Sequence, residues 1–434
     1  MKELKKGIRS ILSKPSTDHL VISPVQKDIH FIRFSNNSVN RENLYERKVS
    51  TSIEAGVNGR TAVLVTDGLC KEELEHTAAQ ARMTAELMPQ DPEYMPPVAK
   101  EETEGLKTVS VVPELIPVDE RYALLAQIFA KMKNAGLKTS GTFVSTIAEH
   151  AVFNTRKVAL SHYSMEYALN VTALSGNGTF KDFYYGTDLR KLNLEKFTEN
   201  LIVKASLASK VKSMDAGRYT VVLAPAAVAE LMSFFAWYNC DKKKIDEGLC
   251  GFSSRINKNI AVSNFHFYSD PYAEGMRLNP PFDAKSGAPC RHVELIKDGR
   301  FQEAFCTRYY ARQQGLTPCG SGLGNTRYNL TADGTDRTAE QMIADIDNGL
   351  FINSFFYIRN VDEMDAVFTG MTRDGVFRIK NGKIVHAVNN FRFNQNMFEM
   401  FMNILDIGEA ENTEFGRFPY LTVKDFCLVS RTEF

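Results

Sequence analysis

The sequence predicts an α+β protein in which antiparallel sheets with packed helices form two to three regions. The dipeptides Asn58-Gly59, Asp298-Gly299 and Asn381-Gly382 each lie between strand-like runs. Both residues of such a turn need positive φ, and hairpins of this kind join antiparallel strands. Apolar residues also recur at helical spacing in several stretches between the strands. At 434 residues the chain is too long for one small domain.

We expect an N-terminal α+β region over residues 1–108 and a middle region of helices and antiparallel strands over 109–215. The first region reads as strands followed by a helix that runs from Leu74 to Met88 and stops at Pro89. The stretch 90–108, with its prolines and acids, resembles a linker. The second region begins with a helix capped by Asp119 and ended by Gly136.

The remaining residues, 216–434, are expected to form a β-rich C-terminal domain. It opens with an apolar strand, Thr220 to Leu223, and a helix from Ala226 to about Tyr238 that is apolar nearly all round and should be buried. A capping box at Thr338 predicts a further helix, which we expect Gly349 to end.

Composition excludes some functional classes. Lys plus Arg equals Asp plus Glu at 52 each, so the chain lacks the basic excess that phosphate binding requires, and we expect no direct contact with nucleic acid. No run approaches about 18 apolar residues, so no membrane span is expected. The first residues are charged rather than apolar, unlike a secretory signal. Seven scattered cysteines favour free thiols in a reducing cytoplasm.

The sequence contains no standard metallopeptidase, nucleotide-binding or hydrolase motif. None of the eight histidines lies four residues from another, so a helical pair of zinc ligands is not expected. His150 and His162 fall in neighbouring strand-like runs. Whether they converge is left open, and core or surface histidines are the more common case.

The most glycine-rich segment is Gly320-Ser321-Gly322-Leu323-Gly324-Asn325. A helix precedes it, so it does not match a dinucleotide-binding fingerprint. Two interpretations remain open: a mobile loop, or a loop whose bare backbone lies close to an extended ligand. On the preceding helix, Arg308 and Arg312 share a face. They either bind a peptide carboxylate or pair with surface acids.

Several segments, in order, resemble the TldD/PmbA family of peptidase proteins. That family shows an Ile-x-x-Gly hairpin, an Ala-x-x-x-Gly helix end and then a glycine loop. The matching residues are Ile296 to Gly299, Ala311 to Gly315 and Gly320, with further matches at Asn381 to Ile384, Asp406 to Gly408 and Pro92-Glu93. Asp283 to Gly287 resembles the family's Asp-x-x-Gly segment but has one extra residue. The resemblance runs over most of the chain.

The resemblance implies a zinc site that this chain has lost. In the TldD branch a His-Glu-x-x-x-His helix follows an apolar strand, and a later cysteine completes the site. Aligning that strand with Val222-Leu223 puts Pro225, Ala226 and Glu230 at the three motif positions. No cysteine occurs between Ile407 and Pro419. This pattern is similar to the PmbA branch, also called TldE, so we assign no catalytic residue and no metal ligand.

The family's PmbA-like members pair with a metal-bearing TldD-like subunit. The first hypothesis is therefore a non-catalytic, peptide-handling subunit, with zinc in the partner and a homodimer as the other possible assembly. The peptide-binding candidates are Arg308, Arg312, Gly320, Ser321, Gly322, Gly324 and Asn325. One rival is a stand-alone peptidase with Glu230 or His150 in its site. Another is a regulatory module, because the family has also been called a modulator of DNA gyrase. In the absence of metal, we expect Val228, Leu231, Met232, Phe234 and Phe235 to pack the former site closed.

Overall fold

The computed structural model describes residues 2–13, 17–68, 70–176, 178–273, 275, 280–320 and 330–432. Within these residues the strands form one sheet of six strands and another of twelve, with helices packed on both. The predicted α+β class is therefore confirmed. No helix in the described ranges is both long enough and apolar enough to cross a membrane.

The six-stranded sheet combines residues from the first and second predicted regions. Its strands are β1 His19–Ser35, β2 Ser38–Val57, β3 Arg60–Thr66, β4 Lys138–Asn154, β5 Ala159–Ser175 and β6 Gly178–Gly186. Their order is β3-β2-β1-β4-β5-β6, and every neighbouring pair is antiparallel. Because β1 pairs with β4, the two regions share one sheet. The division near residue 108 stays a prediction.

The larger sheet belongs almost entirely to the C-terminal residues. Its strands are β7 Val211–Lys212, β8 Gly217–Leu223, β9 Phe267–Ser269, β10 Val293–Lys297, β11 Arg300–Phe301, β12 Leu330–Ala332, β13 Asn348–Asp362, β14 Val367–Lys380, β15 Lys383–Val388, β16 Phe391–Asn396, β17 Ile404–Thr413 and β18 Gly416–Arg431. Most neighbours are antiparallel, while parallel contacts join β8 to β13, β12 to β18 and β7 to β15.

Three hairpins turn at the predicted dipeptides. Asn58-Gly59 joins β2 to β3, Asp298-Gly299 joins β10 to β11, and Asn381-Gly382 joins β14 to β15. The φ angles are 51° and 72°, 51° and 71°, and 48° and 72° respectively. Both positions of every turn are thus left-handed, as the Asn-Gly and Asp-Gly pattern requires.

The helices are α1 Lys2–Leu12, α2 Lys71–Leu87, α3 Val118–Asn134, α4 Leu194–Ala208, α5 Pro225–Asn239, α6 Lys242–Asp246, α7 Arg308–Gln314, α8 Ala339–Ala344 and α9 Met397–Met402. Two predicted ends were wrong. Pro117 rather than Asp119 is the N-cap of α3, so Asp119 lies in its first turn. Helix α8 ends at Ala344 and not at Gly349. Gly349 instead lies in β13, where it pairs with Thr220.

The two sheets share a hydrophobic core. Phe34, Phe143 and Phe180 from the six-stranded sheet pack in one cluster with Phe351 and Phe377 from the larger sheet. Helix α5 lies inside a second cluster, against β13 and β18. The N-terminal half of α5 is thereby held close to the six-stranded sheet, and this places the cleft described next.

Candidate functional site: a cleft between the six-stranded sheet and helix α5

A cleft of about 970 Å³ opens between the six-stranded sheet and α5. Its floor is one face of the sheet, because successive side chains of a strand point to opposite faces. On β4 the alternate residues Thr142, Val144, Thr146, Ala148 and His150 line it, and β1, β5 and β6 contribute in the same way. Small side chains such as that of Ala148 extend only a short way from the sheet, so the volume above them stays open.

The opposite wall of the cleft comes from the larger sheet and its helix. Ala226, Ala229 and Glu230 of α5 face the cleft, together with Asn353–Phe356 of β13 and Glu414 in the turn between β17 and β18. Residues three and four apart share a helix face, so these α5 residues form one stripe. This stripe is made mainly of alanine, which leaves room for a ligand.

The expectation that apolar side chains close this site was wrong. Val228, Leu231, Met232 and Phe235 are fully buried, as predicted, and Phe234 is half-buried. All five pack against the core cluster, and none of them lines the cleft. The cleft-facing stripe of the helix holds two alanines and a carboxyl instead. A buried helix therefore coexists with an open cleft.

The carboxyl of Glu230 is the principal polar group on the α5 wall. The backbone N–H of Phe355 donates to its Oε2 at 3.0 Å. Desolvation raises the pKa of Glu230 to about 8, and the negative charges of Glu414 and Asp374 add to this effect. The Phe355 N–H and Lys181 oppose the rise without reversing it. Glu230 therefore carries a proton near neutral pH.

Glu166 faces the cleft from β5. Desolvation, helped by the charge of Glu414, raises its pKa to about 7, while Lys27 acts in the opposite direction. Sequence reasoning did not single out this residue. The alternation of β5 assigns it to one face of the sheet, but only the packing of α5 shows that this face lines a cleft.

His150 stands at the edge of the same floor and is only 8% exposed. Desolvation, then Lys27 and His162, lower its pKa to about 4, so its ring is neutral near pH 7. Neither ring nitrogen has a hydrogen-bond partner among the described residues. His162 lies directly opposite on β5, where its Nδ1 accepts the Val109 N–H at 3.1 Å. The two histidines do meet, on neighbouring strands.

The residues at the three motif positions do not fit a zinc ion. Pro225 begins α5 and is buried, and neither it nor Ala226 carries a side-chain donor atom. Glu230 supplies one carboxyl, whereas zinc sites in proteins use three or four ligands. In the described parts of the chain, no three His, Cys, Asp or Glu side chains lie close enough together to hold a metal ion.

The predicted peptide-binding arginines lie elsewhere. Arg308 and Arg312 line a separate cavity of about 340 Å³, formed by α7 and the segment from Met95 to Glu102. Arg308 donates to the Pro96 carbonyl at 3.0 Å and lies 3.2 Å from the Glu102 carboxylate.

The glycine segment is described only at its first residue. Gly320 has a φ of 87°, and an added Cβ there would lie 2.9 Å from Cys290 Sγ. Ser321, Gly322, Gly324 and Asn325 lie outside the described residues. The assignment of this segment and of the two arginines to peptide binding stays a prediction.

Comparison with known proteins agrees with this architecture. Residues 216–429 match the family model described as PmbA/TldA metallopeptidase C-terminal domain. A segment of 135 residues is 27% identical to Metalloprotease PmbA of Escherichia coli O157:H7. This segment covers 31% of this chain and only 28% of that protein.

Solved structures resemble the chain over its whole length. TldE from Thermococcus kodakarensis is 17% identical, with a TM-score of 0.78 and 98% of both chains covered. A protein from Bacteroides thetaiotaomicron VPI-5482, named as a putative modulator of DNA gyrase, is 15% identical, with a TM-score of 0.83 and 99% of both chains covered. At these identities the structures show the shared fold, while the family model identifies the C-terminal half. Residues 216–429 belong to the TldD/PmbA family.

Proposed function

We propose that this chain is a PmbA/TldE-like subunit of a TldD/PmbA-type metallopeptidase. It holds a peptide in the cleft but does not hydrolyse it alone, and zinc is supplied by a TldD-like partner in the same assembly. The seven cysteines form no disulfide, which favours work in a reducing cytoplasm.

One observation carries this proposal: the cleft persists where the donor atoms of a metal site do not. Its volume of about 970 Å³ falls in the usual range for ligand sites. Its α5 wall, however, offers Pro225 and Ala226, which can neither bind a metal nor accept a proton. A chain that keeps the binding space without the chemistry is best explained as the substrate-holding half of a shared enzyme.

The shape of the cleft suits an extended peptide. Strand β6 ends the order of the six-stranded sheet, and its Lys181, Phe183 and Tyr185 line the cleft. Peptides are commonly held as an added strand, with main-chain hydrogen bonds providing affinity and side-chain pockets providing specificity. The alternating floor of β4 and β5 offers such pockets.

Reconstitution with a metal-bearing paralogue from the same host tests the proposal. We expect the two chains to elute as one complex and to hydrolyse an unfolded peptide, while each chain alone is much less active. Hydrolysis by this chain alone, at the rate of the complex and in the presence of a chelator, would favour the rival peptidase built on Glu230 or His150.

Zinc content provides a second test. Because one carboxyl is the most that the three motif positions offer, the purified chain should hold well under one equivalent of zinc by atomic absorption. The metal-bearing partner, purified in the same way, serves as the positive control. A stoichiometric, tightly held zinc in this chain would contradict the proposal.

A role at DNA gyrase is the alternative suggested by the names of some relatives. A formal net charge of zero supplies no general attraction to phosphate. Binding of this chain to DNA that weakens steeply with added salt would support that alternative.

A further inference from the structure

Three carboxyl groups line the cleft without forming an ion pair to a basic side chain among the described residues. Glu166 on β5, Glu230 on α5 and Glu414 in the β17–β18 turn reach it from three different elements. The charge of Glu414 raises the pKa of both of the other two, so the three carboxyls face a common space.

The basic side chains of the cleft do not pair with these acids. Arg373 lies 3.7 Å from Asp374 and packs over the Phe356 ring at 4.3 Å. Lys27 acts on Glu166, and Lys181 acts on Glu230, only at longer range. Within the described residues, no ion pair of 4 Å or less involves Glu166, Glu230 or Glu414. Desolvation disfavours the ionised form of such a carboxyl, and a cationic ligand would favour that form again.

His150 is a second, independent indication of a ligand. It is 8% exposed, it lines the cleft, and neither of its ring nitrogens has a partner among the described residues. Buried polar atoms in folded proteins nearly always have a hydrogen-bond partner. A neutral imidazole offers one donor and one acceptor, which match a peptide carbonyl and a peptide N–H.

The cation that fits is an organic one. Across the described ranges, no three carboxyl, imidazole or thiol groups are close enough to enclose a metal ion. A peptide instead provides a positive group on a flexible arm beside main-chain amides. The carboxyls would meet the positive group, and His150 would meet the amides.

We propose that this cleft selects peptides bearing a positively charged nitrogen, from a Lys or Arg side chain or from the free N-terminus, which Glu166 and Glu230 bind while His150 holds the neighbouring main chain. This selectivity rests on the proposed function, since it names the class of peptide that the subunit presents. It depends only on residues of this chain.

Protons are linked to this binding. Glu166 and Glu230 have pKa values of about 7 and about 8 in the free protein. A bound cation favours the ionised carboxylates, so binding releases protons and affinity rises with pH across this range. The other charged or titratable side chains that line the cleft beside these two groups are Lys27, His150, Lys181, Tyr185, Arg373, Asp374 and Glu414.

Binding of short probe peptides to the chain alone tests the selectivity. The probe is an N-acetylated, C-amidated Ala heptapeptide with a central Lys, compared with the same peptide carrying norleucine and with a norleucine peptide whose N-terminus is free. By calorimetry near neutral pH, we expect each charged peptide to bind roughly tenfold more tightly than the neutral one and to release protons. The two charged probes distinguish a side-chain ammonium from a terminal one.

Matched variants complete the experiment. Glu166→Gln with Glu230→Gln should abolish the preference for the charged peptides and the release of protons. Glu72→Gln with Glu199→Gln removes two exposed helical charges that do not line the cleft and should change neither the preference nor the proton release. Equal binding of all three peptides would overturn the selectivity and leave the proposed function standing. Failure of every peptide to bind would overturn both.

Discussion

The side chain of Glu230 lies in the N-terminal half of α5 and lines the cleft. The family resemblance assigns it to the position of a lost metal ligand. The structure shows that its carboxyl now accepts the Phe355 N–H and faces an open cleft. One hydrogen bond does not compensate for desolvation beside Glu414 and Asp374, so the protonated form is favoured.

This residue should make stability depend on pH. The folded-state pKa of about 8 lies above the ordinary value of 4.5, so the folded chain binds the proton more tightly than the unfolded chain. The resulting stability is fully present below about pH 4.5 and is lost as pH rises through about 8. The melting temperature should therefore drop less between about pH 4.5 and about pH 8 in Glu230→Gln than in the natural chain. Part of the fall should persist, because Glu166 behaves in the same way.

The exposed Glu199→Gln on α4 is the matched control and should leave the pH dependence as in the natural chain. If Glu230→Gln melts with the same pH dependence as Glu199→Gln, the carboxyl of Glu230 is solvated rather than desolvated.

At the scale of elements, the hairpin turns were predictable because they depend on adjacent residues. Asn-Gly and Asp-Gly are among the few dipeptides that accept two left-handed positions. The surroundings of each turn were not predictable. An added Cβ at Gly59 would meet nothing within 4 Å, whereas at Gly299 it would lie 2.3 Å from the carbonyl oxygen of Ala261.

This difference predicts unequal costs for the same substitution. Gly59→Ala should cost only the strain of a left-handed alanine, about 1–2 kcal/mol of unfolding free energy. Gly299→Ala adds a clash with backbone and should cost about 2 kcal/mol more. Urea denaturation of the two variants provides the measurement. Equal losses of unfolding free energy in the two variants would mean that the backbone at Ala261 moves away from the added Cβ at little cost.

Helix α5 was predicted correctly as a buried helix, since its apolar residues surround the axis. The sequence could not show that one stripe of alanines faces a cleft, because alanine fits a tight core and an open wall equally well. The partner surface decides, and it comes from strands far away in the chain.

The buried side of α5 can be tested with a charge. Leu231 is fully buried, so Leu231→Asp should destabilise the fold by about 3–5 kcal/mol, the scale of burying an unpaired carboxyl. Trp237→Asp, on the same helix at a position that is 51% exposed, should cost much less. An unchanged melting temperature for Leu231→Asp would contradict the burial of this side.

At the scale of the whole molecule, the sequence predicted the class but not the pairing of distant strands. Strand β1 pairs with β4, although the rest of the first predicted region lies between them in the chain, and β8 pairs in parallel with β13. No local signal encodes such contacts, because they depend on which long segments bury their faces together. The cleft exists only through these pairings, which is why Glu230 and His150 were named separately and Glu166 was missed.

Filling the cleft should separate peptide handling from subunit assembly. Ala168 lies on the floor, on β5 opposite Val144, and Ala168→Trp would occupy much of the space between floor and α5. Because Ala168 lines the cleft, association with the proposed metal-bearing partner should be unchanged in gel filtration. Peptide turnover by the complex should fall by roughly tenfold or more, since each lost contact with an extended peptide lowers binding.

Val65→Trp is the matched control for Ala168→Trp, because it adds the same side chain at a position on β3 that is 67% exposed and outside the cleft. It should keep full turnover. If Ala168→Trp also keeps full turnover in a complex that forms normally, the peptide does not pass through this cleft. The cavity beside Arg308 and Arg312 would then be the place to test for it.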